Sequence, residues 1–255
     1  MTDSVRSPSS ILVDVELPEP MSPSPTLVDL FASLHVVLVG WYVVPEQTSP
    51  EQARDQFEDE ARTALDSVAR SFEEAGATVT SHLVFTRNKL DTISRISTEE
   101  ECDAVLIPTE MAQLERILVP LRGLHNAPRT AALVADLVQD GTTDVTLLHV
   151  LEEEETEATA REHILQPMAD TMTGYGIDTG LLHLASVAAD DPGEAITERA
   201  ADYDIVVIGE TKPSVQEILF GTVPEQIVES VHVPVVVVRQ EQKAVEMAER
   251  PTQTE

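Results

Sequence analysis

The feature that most constrains this chain is the alternation of short apolar runs with amphipathic stretches. Between the runs, apolar residues recur at helical spacing, as at Ala131, Val134 and Val138. Short apolar strands separated by helices are typical of a parallel sheet that is covered on both faces. In the second half the strand-sized runs are Arg116–Leu121, Val145–Val150, Leu181–Val187, Ile205–Ile208 and Pro234–Val238.

The first half repeats part of this plan. Cys102–Pro108 and Tyr203–Gly209 match position by position at a separation of 101 residues, which indicates a tandem repeat of two domains. Between Pro108 and Arg116 there is no room for a last helix and a fifth strand. We therefore expect an α/β protein with two open parallel sheets in tandem, of about four strands in the first half and five in the second. The expected boundaries are a degenerate domain at 1–110, a fuller domain at 115–240 and a polar C-terminal tail at 241–255.

Local signals mark where several helices begin and end. Ser49 and Gln52 have the spacing of a capping box, and Asp191 precedes a proline in a first turn. Gly76 and Gly141 stand where a left-handed cap is needed. A further long helix is expected at about 157–173, and a proline-rich loop at 18–25.

The net charge of −30 comes from 46 acidic and 16 basic residues, of which only Lys89, Lys212 and Lys243 are lysines. Such an acidic, lysine-poor composition is typical of proteins adapted to high salt, because carboxylates retain water and repel one another in dilute buffer. It argues against nucleic-acid binding, which needs basic patches. No apolar run has the length of a membrane span, and the start lacks the layout of a signal peptide. We therefore expect a cytoplasmic protein without membrane contact.

Several residues whose side chains could be reactive or bind a metal are expected to have structural roles. Cys102 is the single cysteine and is expected to be a small residue at the start of a strand. The histidines show no metal-ligand spacing, and His149 is expected to lie in the core or at its rim. The acidic run 152–155 could hold a divalent cation, but a solvated loop is the more ordinary interpretation. Trp41 and Tyr42 are expected to pack between the halves.

A binding crevice is expected in the second half, where the first and fourth strands end side by side and the strand order reverses. Pro120–Arg122 and Gly209–Lys212 are at those ends. Gly221 and Thr222 open a helix whose first N–H groups favour an anion. A structural alternative stays open, in which Gly209 only ends a strand, Gly221 forms a turn and Thr222 is only a cap.

The pattern resembles the universal stress protein family in its tandem form. Such proteins have flavodoxin-like, Rossmann-like domains, and many bind ATP or AMP through a G-x2-G-x9-G-(S/T) motif after strand four. Here the matching stretch keeps Gly209, Gly221 and Thr222, whereas Lys212 replaces the middle glycine and the loop is one residue shorter. The family aspartate at the end of strand one is absent from Pro120–Gly123. The resemblance implies these candidate nucleotide-binding residues: Pro120, Leu121, Arg122, Gly209, Lys212, Gly221, Thr222 and Val223.

Three functions are open at this point. The first is a stress-response regulator that binds ATP or AMP in its second domain, with Mg²⁺ only if the ligand is ATP. The second is a ligand-free dimerisation scaffold with a degenerate site. The third is an enzyme, ranked last because the sequence shows no nucleophile, acid–base pair or redox motif. We expect the apolar strand 234–238 to pair with the first half as an intrachain pseudo-dimer, with a homodimer through the same strand left open.

Overall fold

The alternating pattern folds into one mostly parallel sheet in the computed structural model, which describes residues 7–44, 47–107, 111–138, 141–210 and 231–240. The strands among these residues are β1 Ser10–Leu17, β2 His35–Val43, β3 Thr78–Thr86, β4 Ala104–Ile107, β5 Arg116–Leu121, β6 Asp144–Leu151, β7 Leu182–Ala188, β8 Ile205–Gly209 and β9 Val235–Val238. The helices are α1 Pro25–Leu30, α2 Pro50–Ala75, α3 Lys89–Glu99, α4 Ala127–Leu137, α5 Glu157–Ala160, α6 Gln166–Gly174 and α7 Pro192–Ala200.

The strand order is β3-β2-β1-β4-β9-β8-β5-β6-β7. Among the described residues the first half contributes four strands and the second half five, as predicted. The first four strands of each half follow the same order within the sheet. The two predicted sheets join, because β4 and β9 pair with each other and form one nine-stranded sheet among the described residues.

The junction between the halves is an antiparallel pair in a sheet that is otherwise parallel. β4 and β9 pair along their whole length, with Val105 opposite Val237. All four residues of β9 are buried, so the pairing removes an apolar strand from water. The intrachain pairing is therefore as expected. Because β8 occupies the other edge of β9, a homodimer through residues 234–238 is not compatible with this sheet.

The aspartates of the repeated motif, Asp103 and Asp204, make equivalent hydrogen bonds in the two halves. The carboxylate of Asp103 accepts a hydrogen bond from the backbone N–H of Ser10 at 2.8 Å. The carboxylate of Asp204 accepts one from the backbone N–H of Arg116 at 2.9 Å. In return, the amide of each aspartate donates to the carbonyl oxygen of the same partner, at 2.9 Å and 3.0 Å. Each aspartate thus fixes the fourth strand of its half against the first.

The helices begin where local chemistry predicts. The Ser49–Gln52 capping box is formed at the start of α2, and Gly76 ends that helix at a φ of 114°. The side chain of Asp191 accepts hydrogen bonds from the first-turn amides of α7. Helix α1 was not predicted, although Ser24 caps it and Pro25 is in its first turn; a six-residue helix inside a proline-rich region has too little apolar periodicity to be recognised.

The predicted helix at 157–173 is present as a continuous helical stretch, from Glu157 to Gly174. Its middle, Arg161–Leu165, widens into a π-helical turn. Pro167 lies just beyond and has no N–H to donate, which gives a physical reason for the widened turn. This stretch packs on α4, and both bury apolar side chains in the main core.

The aromatic residues at the end of β2 do not pack between the halves, so that expectation was wrong. The indole N–H of Trp41 donates to Asp14 at 3.0 Å. The ammonium of Lys89 lies 2.7 Å from the same carboxylate and 4.7 Å from the centre of the indole ring. The ring of Tyr42 stacks on Phe57 at 5.1 Å. These contacts all belong to the first half, because β2 is three strands away from β9 in the sheet.

Candidate functional site

The first and fourth strands of the second half, β5 and β8, are neighbours in the sheet and separate at their carboxyl ends. Their last paired residues are Leu118 and Val206. Each strand then continues, β5 to Leu121 beside β6 and β8 to Gly209 beside β9. Two strands that stay bound to their outer neighbours but no longer to each other leave a crevice between their ends. This is where ligands bind in doubly wound sheets.

The structure brings four of the candidate residues to this crevice. Pro120 and Leu121 are half-buried at the end of β5, and Gly209 is half-buried at the end of β8. Arg122 is exposed, and it forms no ion pair with any carboxylate in the part of the chain that the structure describes. The other four candidates, Lys212, Gly221, Thr222 and Val223, lie outside the described residues.

The start of α4 packs beside Gly209. A Cβ atom added to Gly209 would lie 3.6 Å from the Cβ of Asn126 and 3.9 Å from the hydroxyl oxygen of Thr130. Asn126 is the N-cap residue of α4, yet its side chain does not cap the helix. Its amide group donates instead to the carbonyl oxygens of Val238 and Arg239, at 3.0 and 3.1 Å. Asn126 therefore ties the start of α4 to the end of β9, next to the bare backbone of Gly209.

An arginine in the first turn of α4 lies across the junction of the halves. Nε of Arg129 is 3.1 Å from a carboxylate oxygen of Asp103, and its Nη1 donates to the carbonyl oxygen of Arg239 at 3.2 Å. Its side chain remains 29% exposed. The charge of Arg129 is thus paired with a carboxylate, whereas Arg122 is a cation at this edge with no ion pair among the described residues.

A buried carboxylate directly follows Gly209. Glu210 is only 3% exposed, and its carboxylate accepts a hydrogen bond from the backbone N–H of Gln240 at 2.8 Å. Its carbonyl oxygen accepts another from the side chain of Gln240 at 3.2 Å. These contacts fix the residue after β8 against the segment after β9. Neither Asn126 nor Glu210 is predicted from the sequence; the Asn-Ala-Pro start of α4 is a cap signal, whereas no local pattern points to Glu210.

A histidine and a glutamate meet at the end of β6, next to the crevice. His149 is 2% exposed, as expected for a residue in the core or at its rim. Its Nδ1 lies 2.7 Å from the carbonyl oxygen of Leu121 and its Nε2 lies 2.8 Å from Glu155. The N–H of Glu152, and secondly His149, lower the pKa of Glu155 by stabilising its charged form. The run 152–155 is thus exposed at its first three residues and anchored at its last.

Three further features concern metal binding, membrane crossing and the reactivity of the cysteine. Within the ranges that the structure describes, no group of three or more His, Cys, Asp or Glu side chains is placed to hold a metal ion. No helix in these ranges has both the length and the apolar character that a membrane crossing requires. Cys102 is buried, and its burial raises the pKa of the thiol to about 12. This agrees with a structural role for Cys102.

An open, mostly parallel α/β sheet with a crevice where strand order reverses defines the class of doubly wound α/β proteins. Within that class, residues 184–239 match the universal stress protein family. This segment comprises most of β7, α7, β8 and β9 and contains every candidate residue from Gly209 onward. The family resemblance seen in the sequence is thereby confirmed for this segment. No protein with a curated description matches the chain.

Two of the solved structures that the chain resembles share its fold over about nine-tenths of its length. A universal stress protein from Archaeoglobus fulgidus DSM 4304 is 16% identical over 91% of this chain and 97% of its own, with a TM-score of 0.66. A putative universal stress protein from Pseudomonas aeruginosa UCBPP-PA14 is 16% identical over 91% and 94%, with a TM-score of 0.56. A universal stress protein from Archaeoglobus fulgidus, solved with dAMP, is 19% identical over 49% and 98%, with a TM-score of 0.40.

Proposed function

We propose that this chain is a tandem universal stress protein, cytoplasmic and regulatory, that binds ATP or AMP in its second domain and catalyses no reaction. One observation carries the proposal: β5 and β8 separate after Leu118 and Val206, and the side-chain-free backbone of Gly209 forms one wall of the opening. A backbone without a Cβ lets a phosphate or ribose approach closely. The proposed domains are 1–110 and 115–240, followed by the tail 241–255.

The proposal accounts for the two departures from the family motif, which are the missing aspartate at the end of β5 and Lys212 in place of the middle glycine. Arg122 supplies the charge at the end of β5, where the family aspartate is missing, and favours the phosphate end of the ligand over the ribose. Lys212, Gly221, Thr222 and Val223 complete the phosphate side of the site. Mg²⁺ enters only with ATP, since the described residues offer no carboxylate cluster for it.

The proposal of no catalysis is supported by the state of two reactive groups, His149 beside the crevice and Cys102 before β4. Both ring nitrogens of His149 are engaged by Leu121 and Glu155, so the imidazole is not free to act as a general base. The Cys102 thiol, with a pKa raised to about 12, is protonated at neutral pH and is a poor nucleophile.

Calorimetric titration with ATP and with AMP in molar KCl tests the proposal. Wild type should bind at least one of them. Gly209→Ala places a methyl group 3.6 Å from Asn126, an ordinary contact, so the variant should fold normally and bind about tenfold more weakly because the methyl occupies ligand space. Gly174→Ala is the matched control, because the Cβ that it adds has no neighbouring group within 4 Å. This variant should bind as wild type does.

The ligand-free scaffold is the second candidate, and one observation favours it. The side chain of Asn126 lies against Gly209 and is held there by two carbonyl oxygens of the β9 end, so it reduces the space above the glycine. If neither nucleotide produces heat or a thermal shift, and Gly209→Ala behaves like Gly174→Ala, the scaffold function replaces nucleotide binding.

A further inference from the structure

The ring of His149 faces two hydrogen-bond acceptors. Nδ1 lies 2.7 Å from the carbonyl oxygen of Leu121, and Nε2 lies 2.8 Å from a carboxylate oxygen of Glu155. A neutral imidazole carries a proton on one nitrogen only and can satisfy one of these acceptors. The imidazolium donates to both. The geometry therefore assigns the doubly protonated ring to this arrangement.

The same carboxylate organises the acidic run. The oxygen of Glu155 that faces His149 also accepts the backbone N–H of Glu152 at 3.0 Å, and the N–H of Glu155 donates to the carbonyl oxygen of Glu152 at 3.0 Å. Between them, Glu154 adopts a left-handed φ of 67°. Residues 152–155, hereafter the clasp loop, are thus folded as a tight turn that is anchored on His149.

The surroundings determine which group responds to pH. The carboxylates of Glu152, Glu153 and Glu154 are exposed on the clasp loop, and His163 acts on Glu155 from the π-helical turn. The neighbours of His149 on β5 and β7 are the uncharged residues Leu121 and Ser186. Because Glu155 has a lowered pKa, it stays ionised at neutral pH. The ring of His149 is the group whose second proton the two hydrogen bonds require.

We propose that His149 is a positioning residue whose protonated ring clamps the clasp loop to the carboxyl end of β5, and that a rise in pH releases the loop and weakens nucleotide binding at the crevice. Leu121 ends β5 and Arg122 follows it, so in this proposal release of the clasp loop reaches the wall of the crevice through these two residues. The part of this inference that concerns affinity rests on the proposed function; the clamp itself does not.

Amide hydrogen exchange without ligand tests the clamp in molar KCl. After correction for intrinsic rates, the Glu152 amide should be about fivefold better protected at about pH 6 than at about pH 9, as expected for loss of a half-buried ion pair. Glu155→Gln should remove the pH dependence. Glu153→Gln, which removes a neighbouring exposed charge, should retain it. Equal protection of wild type at both pH values would overturn the clamp.

Calorimetric titration with AMP at the same two pH values tests the coupling to the site. ATP replaces AMP if only ATP binds. Because the phosphate of the ligand gains charge between these pH values, the readout is the affinity of each protein relative to that of Glu155→Gln at the same pH. We expect this ratio to fall by about fivefold at the higher pH in wild type and in Glu153→Gln. Absence of binding of both AMP and ATP at both pH values overturns the proposed function and the coupling, while the exchange data still decide the clamp. A ratio that does not change with pH overturns the coupling alone.

Discussion

The guanidinium of Arg239 donates a hydrogen bond to the carbonyl oxygen of Ser97, at the end of α3. Arg239 follows β9 in the second half, and Ser97 belongs to the first, so this bond crosses the junction of the sheet. A second bond, to the hydroxyl oxygen of Thr98, measures 3.1 Å. Arg239 is 6% exposed, and it supplies the positive charge that the last turn of α3 lacks in its own sequence.

Arg239→Met should lower the free energy of unfolding by about 1–3 kcal/mol, because it removes the charged hydrogen bonds to Ser97 and Thr98 while keeping most of the volume of the side chain. The carbonyl oxygen of Ser97 keeps its other donor, the backbone N–H of Cys102. Arg95→Met is the control, since Arg95 pairs with Glu99 on the exposed face of the same helix and should cost less than about 0.5 kcal/mol. Urea unfolding in molar KCl measures both. Equal losses would contradict the role of Arg239 at the junction.

Truncation before Pro234 should leave the protein aggregated or unfolded. It removes β9 from the middle of the sheet and exposes the edges of β4 and β8 together, and unpaired apolar edges invite association. A control that ends at Gln240 keeps β9. Circular dichroism and size-exclusion chromatography compare the two, and a soluble, folded protein lacking residues 234–255 would show that β9 is dispensable.

Cys102 should resist Ellman's reagent in the folded protein and react on unfolding. Burial raises the pKa of its thiol from 9.0 to about 12, so at about pH 8 the thiolate fraction is lower by about a thousandfold. Because the folded pKa exceeds the unfolded value, the chain loses stability as pH rises from about 9 towards 12. As a control, Ser81→Cys in a Cys102→Ala background places a thiol on an exposed position of β3 and should react at once. Equally fast reaction of native Cys102 would contradict its burial.

The net charge of −30 predicts that salt stabilises the fold. We expect the urea midpoint to rise from about 0.1 M to molar KCl, because screening reduces repulsion between exposed carboxylates. The triple variant Asp55→Asn, Glu60→Gln, Asp66→Asn on the exposed face of α2 should show a flatter salt dependence than wild type. A cooperative unfolding curve that does not change with salt would remove the halophilic interpretation.

Elements set by local chemistry were predictable from the sequence. β5 and β8 were placed to within a residue, and the caps at Ser49 and Asp191 formed as expected. These features depend on apolar runs and on side chains that bond to amides two or three residues away. The match between Cys102–Pro108 and Tyr203–Gly209 also carried structural information, since Asp103 and Asp204 make equivalent contacts.

Contacts between residues far apart in the chain were not predictable in the same way. Asn126 has the sequence signature of a helix cap but bonds to the end of β9. Glu155 belongs to a run that predicts a solvated loop but turns back to a buried histidine. In each case the partner is chosen by where the chain folds, and no local pattern encodes that choice.

The amino-acid sequence by itself predicted the strands, most of the helices and the pair of strand ends, β5 and β8, at which we propose that a ligand binds, because apolar periodicity and turn chemistry act over a few residues. The tertiary structure alone decided that the halves share one sheet through β4 and β9. It also decided that Asn126, Arg129 and Glu210 surround the crevice, since burial of an apolar edge and satisfaction of buried polar groups depend on the whole fold.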